Sequence, residues 1–194
     1  MIQPEPEDIR LTYEDYMELP SDGKRYEIID GELHVAPAPG ANIHQTVLVR
    51  LCTRLFNHIE AHDLGSVLPS PVDVVLSDYD VVQPDIVFVA RERLGIIGRE
   101  IAGPPDLTVE IISPGSARLD RTVKRKLYAA HGVRYYWVVD PRSRRLEEYE
   151  LAGSAYRLRS RTEEMDTFRP GLFPDLEIPL GRIWAQRESP SGTS

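Results

Sequence analysis

The sequence predicts a mixed α/β fold, in which a mixed β-sheet is flanked by helices and carries β-hairpins. Residues 26–35 and 145–161 each contain two strand-like runs joined by a short turn. Residues 107–139 read as strand, helix and strand, which predicts two parallel strands joined by a right-handed crossover. Residues 42–62 carry apolar residues at helical spacing. Together these patterns predict strands and helices that share one core.

The first third of the chain predicts a short helix, a hairpin and a long helix. Thr12 suits the cap of a helix over residues 12–19, and Pro20 stops it. Asp30 and Gly31 supply the positive φ angles of a tight turn between strands 26–29 and 32–35. The apolar face of the long helix, residues 42–62, is formed by Ile43, Val47, Leu48, Leu51, Leu55 and Ile59.

Three strands follow, over residues 67–76, 81–89 and 107–112. The first alternates and carries Asp73, for which we expect a structural hydrogen bond beside the site. Residues 91–105 read as a loop with at most one helical turn.

The last third predicts a helix over residues 119–131 that ends at Gly132, then a strand over 135–139. A second hairpin pairs residues 145–151 with 156–161, and a short strand covers 178–180. The aromatic string at 135–137 is either an exposed contact or part of the core.

The length of 194 residues is typical of one domain, with a core from about 12 to 182 and flexible ends over 1–10 and 186–194. The beginning of the chain lacks the basic and apolar regions of a signal peptide, and Cys52 is the only cysteine. No apolar run is long enough for a membrane span. These observations predict a cytoplasmic protein without a membrane partner.

The net charge of −8 argues against a protein that simply coats nucleic acid. The charge is divided unevenly, however. Residues 1–35 hold ten acidic and three basic residues, whereas residues 118–161 hold twelve basic and five acidic residues. The basic segment predicts a cationic face for phosphates, and the alternative is that both segments are solvated surface.

Two carboxylates stand out because they lie in apolar runs that predict buried strands. Asp85 follows Pro84 within residues 81–89, and Glu110 lies within residues 106–114. A buried carboxylate is costly unless it is compensated, and Mg²⁺ is a suitable partner because it prefers oxygen ligands. The carbonyl of Ile111 could add a third ligand. A basic helix follows at once, so metal-dependent cleavage of phosphodiesters is the chemistry that these residues favour.

The chain resembles the PD-(D/E)XK nuclease superfamily and, within it, the Uma-type restriction endonucleases. The resemblance rests on four strings in consistent order, residues 25–33, 83–86, 105–114 and 120–141. It implies a restriction-endonuclease-like core in which Asp85 and Glu110 are the acidic pair. The lysine expected two positions after Glu110 is absent, because Ile112 stands there.

In the Uma-type family the lysine is displaced onto the following helix, which implies Lys124 here. Asp120, Lys124 and Tyr128 recur every four residues and so share a helix stripe, whereas Lys126 points about 200° away. Arg121 is a weaker substitute for Lys124. Glu27 matches the family string and is either a further metal ligand, a group that orients water, or a solvent-facing residue at the sheet edge.

The resemblance and the residues together predict a Mg²⁺-dependent endonuclease, with Mn²⁺ as a possible substitute, that acts on DNA as a homodimer. The predicted catalytic residues are Asp85, Glu110, Lys124 and Glu27. The predicted metal ligands are Asp85, Glu110 and Ile111. The predicted phosphate contacts are Arg118, Arg121 and Arg125.

Two other functions stay open. One is a catalytically inactive binding or assembly protein on a nuclease fold, which the residue at position 112 favours slightly. The other is a hydrolase of a different phosphate substrate. Structural alternatives also remain, since Asp85 suits a turn and Asp120 suits a cap or turn. His58 and His62 have the spacing of a zinc pair but lack the glutamate after His58, and the role of His44 stays open.

Overall fold

The computed structural model describes residues 10–36 and 43–184. The predicted flexible ends therefore fall almost wholly outside the described residues, as does the predicted helix start at residue 42. The helices are α1 (Tyr13–Met17), α2 (Ile43–His62) and α3 (Arg125–Ala130), with a π-helical segment at Leu119–Lys124 and 3₁₀ turns at Arg91–Ile96 and Leu180–Arg182. None of the helices in these ranges is long and apolar enough to cross a membrane.

Most of the β-strands belong to two larger sheets. The strands are β1 (Arg25–Ile29), β2 (Glu32–Ala36), β3 (Gly65–Pro69), β4 (Val74–Ser77), β5 (Asp80–Val82), β6 (Ile86–Ala90), β7 (Ile101–Ala102), β8 (Leu107–Ile111), β9 (Tyr135–Asp140), β10 (Arg145–Ala152), β11 (Ala155–Glu163), β12 (Thr167–Phe168) and β13 (Ile178–Pro179). The five-stranded sheet has the order β2-β1-β5-β4-β7, and the six-stranded sheet has the order β11-β10-β9-β8-β6-β3. Strands β12 and β13 form a separate pair.

The predicted fold class is confirmed, because mixed sheets are flanked by helices. The parallel pairing of β8 with β9 is also as predicted, although β4 and β7 form a second parallel pair that was not expected.

The prediction of one strand over residues 67–76 was wrong. The run is split at Ser70-Pro71 into β3 and β4, which belong to different sheets. The run over 81–89 is split in the same way, because Gln83-Pro84-Asp85 separates β5 from β6. Proline has no N–H group to donate to a ladder, so each proline falls where the chain leaves one sheet for the other. Asp85 therefore lies at a crossing between sheets rather than within a strand.

The locally encoded elements form as predicted. Thr12 caps α1 through a reciprocal pair of hydrogen bonds with Asp15. Asp30 and Gly31 adopt φ angles of 53° and 80° in the first hairpin turn, and Gly132 ends α3 with a φ of 81°. Along α2, the predicted apolar face is buried except for Ile43, whose exposed fraction is 54%.

The six-stranded sheet separates two cores. Alternate residues of β8 and β9 point to opposite faces, as the period of two requires. Leu107, Val109 and Trp137 pack toward α2 and the C-terminal residues in one core. Tyr136 packs with Tyr128 of α3 in the other core, so the aromatic string at 135–137 is core. Glu110 shares the α3 side of β8, which brings it under the predicted basic helix.

Candidate active site

A narrow cleft of about 30 Å³ lies where β1, the crossing before β6, the end of β8 and the π-helical segment meet. It is lined by Arg25, Glu27, His44, Asp85, Glu110, Ile111, Ser113, Ser116, Leu119, Asp120 and Lys124. All four carboxylate residues of this set are at most 3% exposed. Such a volume holds one or two water molecules or ions of similar size. We call this group of residues the carboxylate cleft.

Glu110 is held beneath α3 by two donors that reach the same carboxylate oxygen. Tyr128 donates its hydroxyl to Oε1 at 2.7 Å, and Lys124 Nζ donates to the same atom at 3.0 Å. Burial raises the pKa of Glu110 well above its usual range, and the charges of neighbouring carboxylates add to this effect against the opposing charge of Lys124. Glu110 is therefore not a solvent-facing strand residue.

Asp85 is fixed by donors from three different parts of the chain. Its Oδ2 accepts the amide N–H of Ile111 at 2.7 Å and lies 3.1 Å from Nε2 of His44. Its Oδ1 accepts a longer bond of 3.4 Å from Arg25. Burial acts to raise the pKa of Asp85, but His44, the Ile111 amide and Arg25 outweigh burial and lower it. Asp85 therefore remains an ionised acceptor near neutral pH.

Glu27 and Lys124 form a buried ion pair across 97 residues of sequence. Lys124 Nζ donates to Glu27 Oε1 at 2.8 Å, and the same oxygen accepts the backbone N–H of Gln83 at 2.8 Å. Burial acts to lower the pKa of Lys124, but Glu110, Glu27 and Asp120 outweigh it and raise the pKa. Lys124 is consequently an ammonium donor, and Glu27 does not face solvent from a sheet edge.

Asp120 is a member of the cleft, although its sequence suited a cap or turn. Its exposed fraction is 2%, and its Oδ1 lies 3.8 Å from Lys124 Nζ. Burial is the main cause that raises the pKa of Asp120, as it does for Glu110. When all four carboxylates are ionised, they exceed the permanent cations Arg25 and Lys124 by two charges. The pKa values of Glu110 and Asp120 are raised first by burial and also by the neighbouring carboxylates.

The structure brings Glu27, Asp85, Glu110, Ile111 and Lys124 together, as their predicted common site requires. Whether each performs its predicted role stays a prediction.

Sequence reasoning missed Arg25 and Asp120 as cleft residues and left His44 open. The spacing of four residues between Asp120 and Lys124 already indicated that Asp120 lies on the same side of the helix as Lys124. His44 carried a weaker signal, because a polar residue recurs at helical spacing with the apolar face of α2. The position of Arg25 in the cleft depends on contacts between the two sheets, which no local sequence pattern indicates.

The three arginines predicted to contact phosphates have different surroundings. Arg121 donates to Glu147 at 2.8 Å and Asp140 at 3.0 Å, on the side of the six-stranded sheet. Arg125 lies over the ring of Tyr149, at 5.4 Å from its centroid. Only Arg118 of the three is exposed beside the cleft, near Ser116 and Leu119. The roles of all three as phosphate contacts stay predictions.

Asp73 has the structural hydrogen bonds expected of it. Its Oδ1 accepts the hydroxyl of Tyr16 at 2.7 Å and the side-chain amide of Gln83 at 2.8 Å. Gln83 in turn donates its backbone N–H to Glu27, so Asp73 supports the wall of the cleft without lining it.

The donor chemistry of the cleft fits a divalent cation. Carboxylate oxygens dominate it, the excess of two negative charges matches Mg²⁺, and Mg²⁺ needs only one or two carboxylates because it keeps several waters. In residues 10–36 and 43–184, no three His, Cys, Asp or Glu side chains converge as ready-made ligands. Lys124 instead lies between Glu27 and Glu110, so a cation here would rely on few side-chain ligands.

Two polar atoms of the cleft wall stay available for a ligand. Arg25 Nε and His44 Nδ1 are buried and have no hydrogen-bond partner among the described residues. Buried polar atoms without partners are rare in folded proteins and are often completed by water, ions or substrate.

Comparisons with known proteins show the family and support the fold. The sequence profile of the Uma2 family, described as "Putative restriction endonuclease", matches residues 13–181. No curated protein matches the chain. The structure is similar to a crystal structure titled as a "putative nuclease belonging to DUF820" from Anabaena variabilis, with a TM-score of 0.75 at 18% identity, covering 89% of this chain and 97% of that one. At that identity the likeness shows the fold, and the profile match shows the family: the chain belongs to the Uma2 family of restriction endonuclease-like proteins.

Proposed function

We propose that the protein is a metal-dependent endonuclease that hydrolyses phosphodiester bonds in DNA. The carrying observation is the carboxylate cleft, which four buried carboxylates line together with one buried lysine. Membership of the Uma2 family supports nuclease chemistry in general. The metal, the DNA substrate and the residue roles are parts of the proposal.

Asp85, Glu110 and the carbonyl of Ile111 would hold Mg²⁺ or Mn²⁺. When bound, such an ion neutralises charge on the phosphate, lowers the pKa of a water and stabilises the leaving oxygen. Asp85 suits this role because its pKa is lowered, so it remains charged at neutral pH. Its bonds to the Ile111 amide and His44 hold the carboxylate in one orientation.

Lys124 would act as a donor and not as a base. Its raised pKa keeps the proton on Nζ, where an ammonium can orient the attacking water and stabilise charge that develops on the phosphate. Glu27 holds this ammonium at 2.8 Å and is itself held by the Gln83 amide. Glu27 would therefore orient Lys124 and the water near it.

The test is plasmid nicking with Mg²⁺ or Mn²⁺ by the wild type, Asp85→Asn and Lys124→Met. We expect metal-dependent nicking that falls at least about 100-fold in both variants, which is typical for the loss of one preorganised electrostatic group. Lys126→Met is the matched control, because Lys126 is an exposed lysine on the same helix. Nicking that survives Asp85→Asn would contradict the assigned site.

The second candidate is a nuclease-fold protein that binds nucleic acid without cutting it. Its supporting observation is that Lys124 already bonds to Glu27 and Glu110, where a cation would otherwise lie. DNA binding by wild type without nicking, under every tested metal, would favour this candidate.

Cutting both strands of a duplex requires two clefts, so a homodimer remains part of the proposal. Light scattering of the purified protein at several concentrations tests for the homodimer. A monomer at all concentrations, with and without DNA, would contradict the proposed dimer.

A further inference from the structure

Two wider hollows adjoin the carboxylate cleft. The first hollow has a volume of about 300 Å³ and is lined by Ile43, His44, Ile112, Ser113, Pro114, Pro141 and Arg142. The second hollow has a volume of about 420 Å³ and is lined by His34, Val35, Gly115, Ser116, Arg118, Leu119 and Val123. The cleft shares His44 and Ser113 with the first hollow, and Ser116 and Leu119 with the second. The cleft therefore has a separate hollow next to it at two parts of its lining.

The walls of both hollows are mainly aliphatic. Ile112, Pro114 and Pro141 form much of the first, and Val35 and Val123 contribute to the second. Volumes of about 300 Å³ and above are typical of sites that enclose small organic groups. Apolar side chains are also the surfaces on which proteins receive bases that have left the helical stack. The hollows thus suit flat, partly apolar groups on either side of the reacting phosphate.

Each hollow carries one arginine at its edge. Arg142 lines the first hollow and Arg118 lines the second, and both side chains are exposed. Neither forms an ion pair with any residue in the described ranges. By contrast, Arg121 and Arg161 of the same basic segment are both bound to Glu147. Arg118 and Arg142 are therefore available to phosphates that flank the cleft.

The depth of the cleft limits the shape of the substrate. Asp85 and Glu110 are each 3% exposed, and the cleft itself holds only about 30 Å³. The scissile phosphate has to approach a metal ion held by these buried carboxylates, which is easier for a strand that departs from the regular surface of a duplex. A strand with unpaired nucleotides bends more easily, and its bases are free to enter the adjoining hollows.

Resting on the proposed nuclease function, we propose that the substrate is DNA that is unpaired at the cut. The bases on the two sides of the scissile phosphate occupy the first and second hollows. The phosphates beyond them bind to Arg142 and Arg118. The arginines position the strand and do not contact the reacting atoms.

The first test compares three oligonucleotides of one sequence: a single strand, a matched duplex, and a duplex with a three-nucleotide central bubble. With Mg²⁺, we expect the single strand and the bubble to be cut at least about tenfold faster than the matched duplex, since only the latter must be unpaired first. Equal or faster cutting of the matched duplex would overturn the inference and leave the nuclease proposal intact. Cutting of none would count against the nuclease proposal.

Binding provides a second test that does not depend on cutting. In EDTA, fluorescence anisotropy should give a lower Kd for the bubble than for the matched duplex. 2-Aminopurine beside the bubble centre should brighten when the protein binds, because a base that enters a hollow leaves its stacked neighbours. An unchanged 2-aminopurine signal on saturating binding, or no preference for the bubble, would overturn the inference.

Variants then assign the hollows. Arg118→Gln and Arg142→Gln should each weaken binding to the bubble by about tenfold, as expected for one charge-assisted hydrogen bond. Arg157→Gln is the matched control, because Arg157 is an exposed arginine of β11 that lines neither hollow. Equal losses in all three variants would indicate general charge attraction and contradict the assignment to the hollows.

Discussion

Two of the places where the described residues bury acidic side chains treat the charge in opposite ways. In the carboxylate cleft, four carboxylates share two permanent cations. On β10, Glu147 is 3% exposed but binds Arg121 and Arg161, each at 2.8 Å. Burial acts to raise the pKa of Glu147, but the two arginines outweigh it and lower the pKa. The pKa of Glu110 is raised instead.

This comparison shows that burial of an acidic side chain is not enough to identify a candidate functional site. Glu147 is an acid whose charge is balanced by its neighbours, and it lines none of the pockets discussed above. The cleft combines unbalanced charge with an opening and with buried polar atoms that lack partners. Unbalanced charge is costly in a folded protein, so its presence favours a ligand or a reaction as the reason for it.

Removal of Lys124 is expected to have the largest effect on stability, because it increases the excess of negative charge in the cleft. Lys124→Met should lower the free energy of unfolding by about 3–5 kcal/mol, as for a buried pair that loses one partner. Urea denaturation measures this change. Lys126→Met, at an exposed position, should change it by less than about 0.5 kcal/mol. A Lys124→Met protein as stable as wild type would show that the carboxylates are already protonated.

Glu147→Gln is expected to have the next largest effect, with no consequence for nicking. The change leaves Arg121 and Arg161 with a weaker acceptor, so stability should fall by about 1–2 kcal/mol. Thermal unfolding and plasmid nicking should be measured on the same preparation. A loss of nicking without loss of stability would connect Glu147 to the site and break the comparison.

Divalent metal should stabilise the cleft and leave the Glu147 region unaffected. With Mg²⁺ at about ten times its Kd, the Tm of wild type should rise by about 3–6 °C, because only the folded chain binds. The rise should persist in Glu147→Gln and vanish in Asp85→Asn. An equal rise in Asp85→Asn would place the bound metal elsewhere.

The pH dependence should differ in sign between the two regions, and this is the smallest effect. Because the pKa of Glu110 is raised in the folded state, its contribution to stability is present at low pH and is lost as pH rises through the folded pKa. The pKa of Glu147 is lowered, so its contribution is present above the usual value of 4.5 and is lost as pH falls.

Tm measured from about pH 2 to pH 8 without metal therefore separates the two groups. Glu110→Gln should flatten the decline in Tm toward high pH, whereas Glu147→Gln should flatten the decline toward low pH. The same pH profile for both variants would show that the two carboxylates do not differ as described.

Sequence reasoning succeeded where the information is local. The turn at Asp30-Gly31 and the end of α3 at Gly132 depend on residues within one turn. Helix geometry predicts that Lys124 and Lys126 point to different sides, and the first is buried whereas the second is exposed. The split strands were missed, although Pro71 and Pro84 carried the signal, since apolar continuity was given more weight than the missing N–H.

The rest of the site depends on contacts between distant segments. Arg25 approaches Asp85 only because the chain crosses between sheets at Gln83-Pro84-Asp85. Arg121 pairs with Asp140 and Glu147, which lie on later strands, so its own segment does not indicate these partners. No pattern in a single sequence states which charges will be paired after folding.

The ion pair between Glu27 and Lys124 has a consequence for biosynthesis. Ninety-seven residues separate the two partners, and Asp85 and Glu110 lie between them. A chain that emerges from the ribosome N-terminus first therefore has three of the acids long before it has the lysine. Domains fold as units, and contacts this distant form late. An incomplete chain has no assembled cleft, so the proposed activity would arise only after synthesis has passed Lys124.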